Sequence, residues 1–107
     1  MITARFNEAN SHYTFSITGH ANYDDIGKDI VCAAVSILTT AIVNEVNRFG
    51  VMHENTDEVI SFSFIAVQTS QSPTDCHLYR LYEMLKDNLQ QIEQQYPDNI
   101  KVVFESE

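Results

Sequence analysis

At 107 residues the chain has the length of one domain, near the lower end of what buries a self-sufficient core. Hydrophobic residues make up 44% of it, too many for a disordered chain and too evenly mixed for a fibrous one. Six basic residues against 15 acidic ones leave a net charge of −9, which excludes the electrostatic footprint of direct nucleic acid binding and of anionic membrane surfaces. A basic protein is the better partner.

Ile2, Ala4 and Phe6 alternate with Thr3 and Arg5, and Tyr13, Phe15 and Ile17 alternate with Thr14, Ser16 and Thr18. This period of two predicts a β-hairpin around the polar segment 7–12. After Gly19 the period changes. Val31, Val35, Leu38, Ile42, Val46 and Phe49 recur at helical spacing, and Gly50 follows where a left-handed cap is favourable. Ile30, Ala33, Ala34, Ile37 and Ala41 make the first half of that helix apolar nearly all round, so it is expected to be covered on more than one side. Segment 51–58 is polar and irregular, with room for a short edge strand. Ile60, Phe62, Phe64 and Ala66 then alternate as a third firm strand. Ser72, Pro73 and Asp75 supply an N-cap, a first-turn proline and an acidic N3 position, which predicts a helix start. Leu78, Leu81, Leu85, Leu89, Ile92 and Tyr96 form its stripe, Gln90, Gln91, Gln94 and Gln95 its solvated face, and Pro97 ends it. Ile100, Val102 and Phe104 predict a last strand. The order β-β-α-β-α-β implies an α+β domain over residues 1–107, with one mixed sheet of four to five strands and two helices packed against it.

The longest apolar stretch, 30–43, is interrupted by Ser36, Thr39 and Thr40 and falls short of the roughly 20 residues a bilayer needs. The N-terminal segment lacks both the basic and the continuous apolar regions of a signal peptide, so no membrane association and a cytoplasmic location are expected. Cys32 and Cys76 lie far apart without CxxC pairing, which suggests neither a disulfide framework nor a structural zinc site. His12 and His53 sit in polar segments with no ligand-spaced partners, and there is no phosphate-binding glycine motif, so no metal and no cofactor are expected.

Segment 19–32 joins a strand end to a helix start and concentrates reactive side chains. With Asp29 as N-cap, Cys32 occupies N3, where the first-turn N–H groups and the helix dipole favour a thiolate. His20 precedes it on a loop bounded by Gly19 and Gly27 that can fold back to bring imidazole and sulfur together. Such a pair is the minimum for nucleophilic acyl transfer: imidazole takes the thiol proton and returns it to the leaving amine. Each residue also has a plainer reading. Cys32 can be a small buried hydrophobe, His20 a strand-end hydrogen bonder and the glycines turn residues. Cys76 and His77 form a second pair, but adjacent residues diverge by about 100° on a helix, so a structural or incidental role is expected.

Taken whole, Gly19-His20-Ala21, Tyr23, and Gly27-Lys28-Asp29-Ile30-Val31-Cys32-Ala33-Ala34-Val35-Ser36 closely resembles the signature of bacterial ribosomal-processing cysteine proteases of the Firmicutes type. The motif runs over residues 19–36; length, element order and acidity agree over the rest, while residues 50–107 carry no motif. Asn22 stands where related sequences often have glycine. The resemblance implies a homodimeric endopeptidase that trims the precursor of ribosomal large-subunit protein twenty-seven, with Cys32 as nucleophile and His20 as base. Supporting roles are expected for Asp29, Ser36, Gly19 and Gly27, and a substrate-binding loop containing Ala21, Tyr23 and Ile26. Asp29 is equally explained as a helix cap, and Ser36 as a back-bond inside the helix. The oxyanion is expected to meet the N–H of Cys32 or its neighbours. The rival readings are a non-catalytic ribosome-assembly or peptide-binding module and, less favoured for want of a resolving cysteine near Cys32, a thiol redox protein.

Overall fold

The alternating N-terminal segments become β1 (Ile2–Ala9) and β2 (His12–Thr18) in the computed structural model, which describes residues 1–19, 29–50, 52–55, 59–66 and 72–106. Their hairpin is tighter than the polar composition of 7–12 suggests. Pairing continues to Ala9 opposite His12, so that Asn10 (φ 51°) and Ser11 (φ 65°) alone make the turn. Two successive left-handed residues give a turn whose twist matches the flanking strands, and asparagine tolerates that conformation well. His12 is accordingly a strand residue rather than a loop residue.

The chain continues through α1 (Ile30–Asn47), β3 (Met52–Asn55), β4 (Val59–Ile65), α2 (Pro73–Gln95) and β5 (Ile100–Ser106). The segment 51–58 thus holds an edge strand, with His53 in it. The sheet order is β3-β4-β2-β1-β5, with β5 parallel to β1 and all other neighbours antiparallel. This is the expected mixed α+β sheet, completed at five strands.

Alternation assigns its two faces. Ile2, Ala4, Phe6, Tyr13, Phe15, Ile17, Phe62, Phe64 and Ile100 are buried in one core with residues of both helices. The intervening Thr3, Arg5, Asn7, Thr14, Ser16, Ser61, Ser63 and Lys101 remain half-buried or exposed. Both helices therefore cover the same face. An aromatic layer fills the interface: Phe6 lies 5.0 Å from Phe15 and Phe15 lies 5.2 Å from Phe62, while Tyr82 of α2 meets Phe6 edge-on at 5.3 Å. Such pairs add about 1 kcal/mol each to the burial of their area.

The inner stripe of α1 differs in part from the periodic one. Val31, Val35, Thr39, Ile42, Val43 and Val46 are buried, whereas Leu38 is half-buried and Phe49, beyond the helix, is exposed. Gly50 adopts the expected left-handed backbone (φ 70°). On length and composition alone α1 is apolar enough to cross a membrane, because it continues past residue 43 to Asn47. Its inner face is core, as in a helix packed on a sheet. In α2, Ser72 caps the start through Asp75 N–H, and Leu78, Leu81, Tyr82, Leu85 and Leu89 are buried. Its far end is tied to the sheet by Glu93, whose Oε2 accepts the Val102 N–H of the edge strand at 2.6 Å.

Candidate active site at the start of helix α1

The direction of α1 places its first turn. Its C-terminal end meets the start of α2, where the His77 Nε2 lies 3.2 Å from Glu45 Oε1 and the His77 ring lies 5.1 Å from that of Phe49. The two helices are therefore antiparallel. Eighteen residues of α1 at 1.5 Å each carry its N-terminus about 27 Å back, to the end of the sheet where β2 exits.

Asp29 caps that N-terminus. In extended backbone (φ −77°, ψ 100°), it accepts the Cys32 N–H on Oδ1 at 2.9 Å and the Ala33 N–H on its carbonyl oxygen at 3.0 Å. Val31 and Val35, only 1% and 3% exposed, anchor the first turns to the sheet. Cys32 is consequently held at the margin of the core, half-buried, packed against it on one side and open on the other. Ser36 follows one turn later, exposed to solvent. Residues three and four apart share a helix side, so Asp29, Cys32 and Ser36 line up along one edge of the helix start.

Of the residues singled out in the sequence, Asp29, Cys32 and Ser36 are thus brought together, and Gly19 closes β2 with a left-handed backbone (φ 90°). His20, Ala21, Tyr23, Ile26 and Gly27 lie outside the described residues. Between the two roles weighed for Asp29, the geometry supplies the cap. The Cys32 N–H is engaged by that carboxylate in a charge-assisted bond.

The second cysteine–histidine pair is used differently. Cys76 is exposed, while His77 turns to Glu45 and Phe49 and ties the two helices together. No sequence signal announces that contact, since its partners are 32 residues apart. Among the described residues, no three His, Cys, Asp or Glu side chains gather at a spacing that would hold a metal.

Comparison with known proteins adds what geometry alone does not. The fold matches the crystal structure of the ribosomal processing protease Prp from S. aureus with a covalently linked product peptide, at a TM-score of 0.75 and 23% identity, covering 97% of this chain and 99% of that one. The same S. aureus protein with a substrate peptide matches at 0.72, again with 23% identity and coverage of 97% and 99%. SMU.848 from Streptococcus mutans matches at 0.70 and 23% identity, over 100% of this chain and 96% of that one. No curated protein sequence matches the chain. A family model described as cysteine protease Prp matches residues 1–101, nearly the whole length, and the chain therefore belongs to the Prp cysteine protease family.

Proposed function

We propose that this chain is a cysteine endopeptidase that processes a ribosomal protein, with Cys32 as nucleophile and His20 as general base. The observation that carries the reading is the thiol itself. It sits half-buried at a capped helix start, at the end of the sheet where β2 leads into His20, in a chain of the Prp family. A purely structural cysteine has no need of an open side there.

In the proposed reaction the His20 imidazole takes the Cys32 proton, and the sulfur attacks the carbonyl carbon of the scissile bond. The tetrahedral oxyanion is met by first-turn N–H groups of α1 other than that of Cys32. Collapse of the intermediate expels the amine, which receives the proton from the imidazole, and water then hydrolyses the thioester. We assign Ser36, one helical turn after the thiol, a supporting role, and Ala21, Tyr23 and Ile26 to a substrate-binding loop between Gly19 and Gly27. The solved S. aureus protease carries a covalently linked product peptide and, separately, a substrate peptide, which supports peptide cleavage through a covalent enzyme.

The substrate we assign is the precursor of ribosomal large-subunit protein twenty-seven, cut in the cytoplasm. An enzyme of net charge −9 attracts the basic body of a ribosomal protein from a distance, while the apolar scissile segment supplies local recognition. We further assign a homodimer. From Ile30 to Asn44 the helix carries no charged residue, and Ile30, Ala33, Ala34, Ile37, Thr40 and Ala41 are all exposed on its outer side. Two copies of a strongly acidic chain meet with least repulsion there.

The deciding experiment incubates the extended precursor with the intact chain and with Cys32→Ala, and reads the product by mass. Cleavage by the intact chain alone is expected. Cleavage by C32A overturns the cysteine-protease reading, and binding of the precursor without cleavage by either would favour a non-catalytic peptide-binding module.

A further inference from the structure

On the face of the sheet turned away from both helices, a registered block of side chains surrounds a cavity. Arg5 pairs with Ser16 on one side and Val103 on the other, and Asn7 pairs in the same way with Thr14 and Glu105. These residues share the outer face, because Phe6 and Phe15 between them are core. With Phe6 beneath, they line a cavity of about 190 Å³. Asn7, Thr14, Ser16 and Val103 form its half-buried floor, and Arg5 and Glu105 stand exposed at its rim. The floor is firmly backed, since Tyr82 of α2 donates its hydroxyl to the Asn7 carbonyl at 3.4 Å.

Arg5 and Glu105 lie one strand apart and two residues along, about 8 Å at Cα, a separation that two long side chains can span. They do not close on each other. Neither side chain makes an ion pair or hydrogen bond with any described residue. One wall of the cavity therefore offers a guanidinium and the opposite wall a carboxylate. Between them, the Thr14 and Ser16 hydroxyls and the Asn7 amide can donate and accept, and Val103 adds apolar surface. A simple anion is opposed there by Glu105 and a simple cation by Arg5, whereas a molecule carrying both charges satisfies both walls. Size is limited as well, because the volume is below the roughly 300 Å³ at which sites for drug-sized ligands begin.

We propose that this cavity binds an amino-acid-sized zwitterion, with its carboxylate on Arg5 and its ammonium on Glu105. A free amino acid and the two termini of a very short peptide share this chemistry. The cavity lies on the opposite face of the sheet from the helix that bears Cys32, so the proposal stands apart from the protease reading.

The test follows NMR shifts of the Arg5 side-chain N–H, the Asn7 side-chain amide and the backbone of residues 103–105 in the full chain. Glycine, diglycine, acetate and methylammonium are titrated into the intact chain, Arg5→Gln and Glu105→Gln. Saturable shifts are expected with glycine or diglycine at a Kd of about 1 mM, as suits partly exposed charge pairs, and the tighter of the two identifies the source. Acetate and methylammonium should each bind the intact chain about tenfold more weakly, and each variant should lose about tenfold in zwitterion affinity, the scale of one charge-assisted bond. Removal of the opposing charge should also tighten acetate binding in E105Q and methylammonium binding in R5Q. Absence of saturation by both zwitterions overturns the proposal, as does acetate or methylammonium binding the intact chain as tightly as glycine. Zwitterion affinity unchanged in both variants overturns it too. If either variant loses the native amide spectrum, the four-ligand comparison on the intact chain decides alone.

Discussion

The Asp29 carboxylate and the Cys32 backbone are joined by a 2.9 Å hydrogen bond, so the residue that starts α1 also fixes the main chain bearing the thiol. This geometry separates capping from catalysis by substitution. Asp29→Ala should cost about 1 kcal/mol of stability through loss of the cap, whereas Asp29→Asn, an equally good cap, should melt within a few degrees of the intact chain and retain cleavage. A loss of about 100-fold or more in D29N at unchanged stability would instead give the carboxylate charge a catalytic role.

Ile37 is the most exposed large apolar residue of α1, at 73%. Ile37→Asp places a charge at the centre of the uncharged outer face, and should leave the monomer fold within about 0.5 kcal/mol of the intact chain, as surface substitutions generally do. Sedimentation at micromolar concentration is expected to give a dimer for the intact chain and a monomer for I37D. Equal masses for the two would remove this face from the interface.

Thr39 is fully buried on the inner side of α1, and its Oγ1 has no hydrogen-bond partner among the described residues. Replacing that hydroxyl by a methyl group of nearly the same shape removes a desolvated polar atom. Thr39→Val should therefore raise stability by about 1 kcal/mol in urea unfolding. A destabilised T39V would mean that the hydroxyl does find a partner in solution.

Glu93 and Val102 make the 2.6 Å bond that fastens α2 to the edge strand β5. Glu93→Ala should cost about 2 kcal/mol, the scale of a hydrogen bond to a charged group, and Glu93→Gln distinctly less. Because an edge N–H is uncovered at the same time, E93A should also scatter more light on heating. Unchanged urea midpoints in both variants would show the bond to be worth nothing net.

Glu8 holds its carboxyl above the usual carboxylate range, chiefly because burial removes water from it, with Lys86 opposing the shift and Glu83 adding to it. The folded protein then binds this proton more tightly than the unfolded chain. Stability from this group is full below the ordinary carboxylate value and is lost as pH rises through the raised one. Glu8→Gln should remove that loss, so that its melting temperature exceeds that of the intact chain at neutral pH and the difference shrinks on acidification. A difference that grows on acidification would reverse the assignment.

Much of this protein is legible in its residues alone, for a local reason. Ile2, Ala4 and Phe6, or Leu78, Leu81, Leu85 and Leu89, declare a strand and a helix because periodic burial is repeated many times within one segment. Caps are equally local: Ser72, Pro73 and Asp75 define the start of α2, Gly50 the end of α1, and Asp29 puts Cys32 at N3 within four residues. The motif 19–36 is likewise continuous, which is why it names a family from a single sequence. Tertiary structure decided what depends on the partner across space. It drew Thr39 and Val43 into the core, because packing against the sheet and α2 selects which side of α1 faces inward, and it left Phe49 outside, because α1 ends at Asn47. It turned the Asn10–Ser11 step into a two-residue turn, because pairing with β4 carries β2 back to His12. Closing the distance between Glu45 and His77, and between Glu93 and Val102, also required the packed helices. Finally, spacing assigned Cys32 its place on the helix, but only the assembled core left that residue half-buried at its margin, since burial belongs to the packed layers and not to the segment.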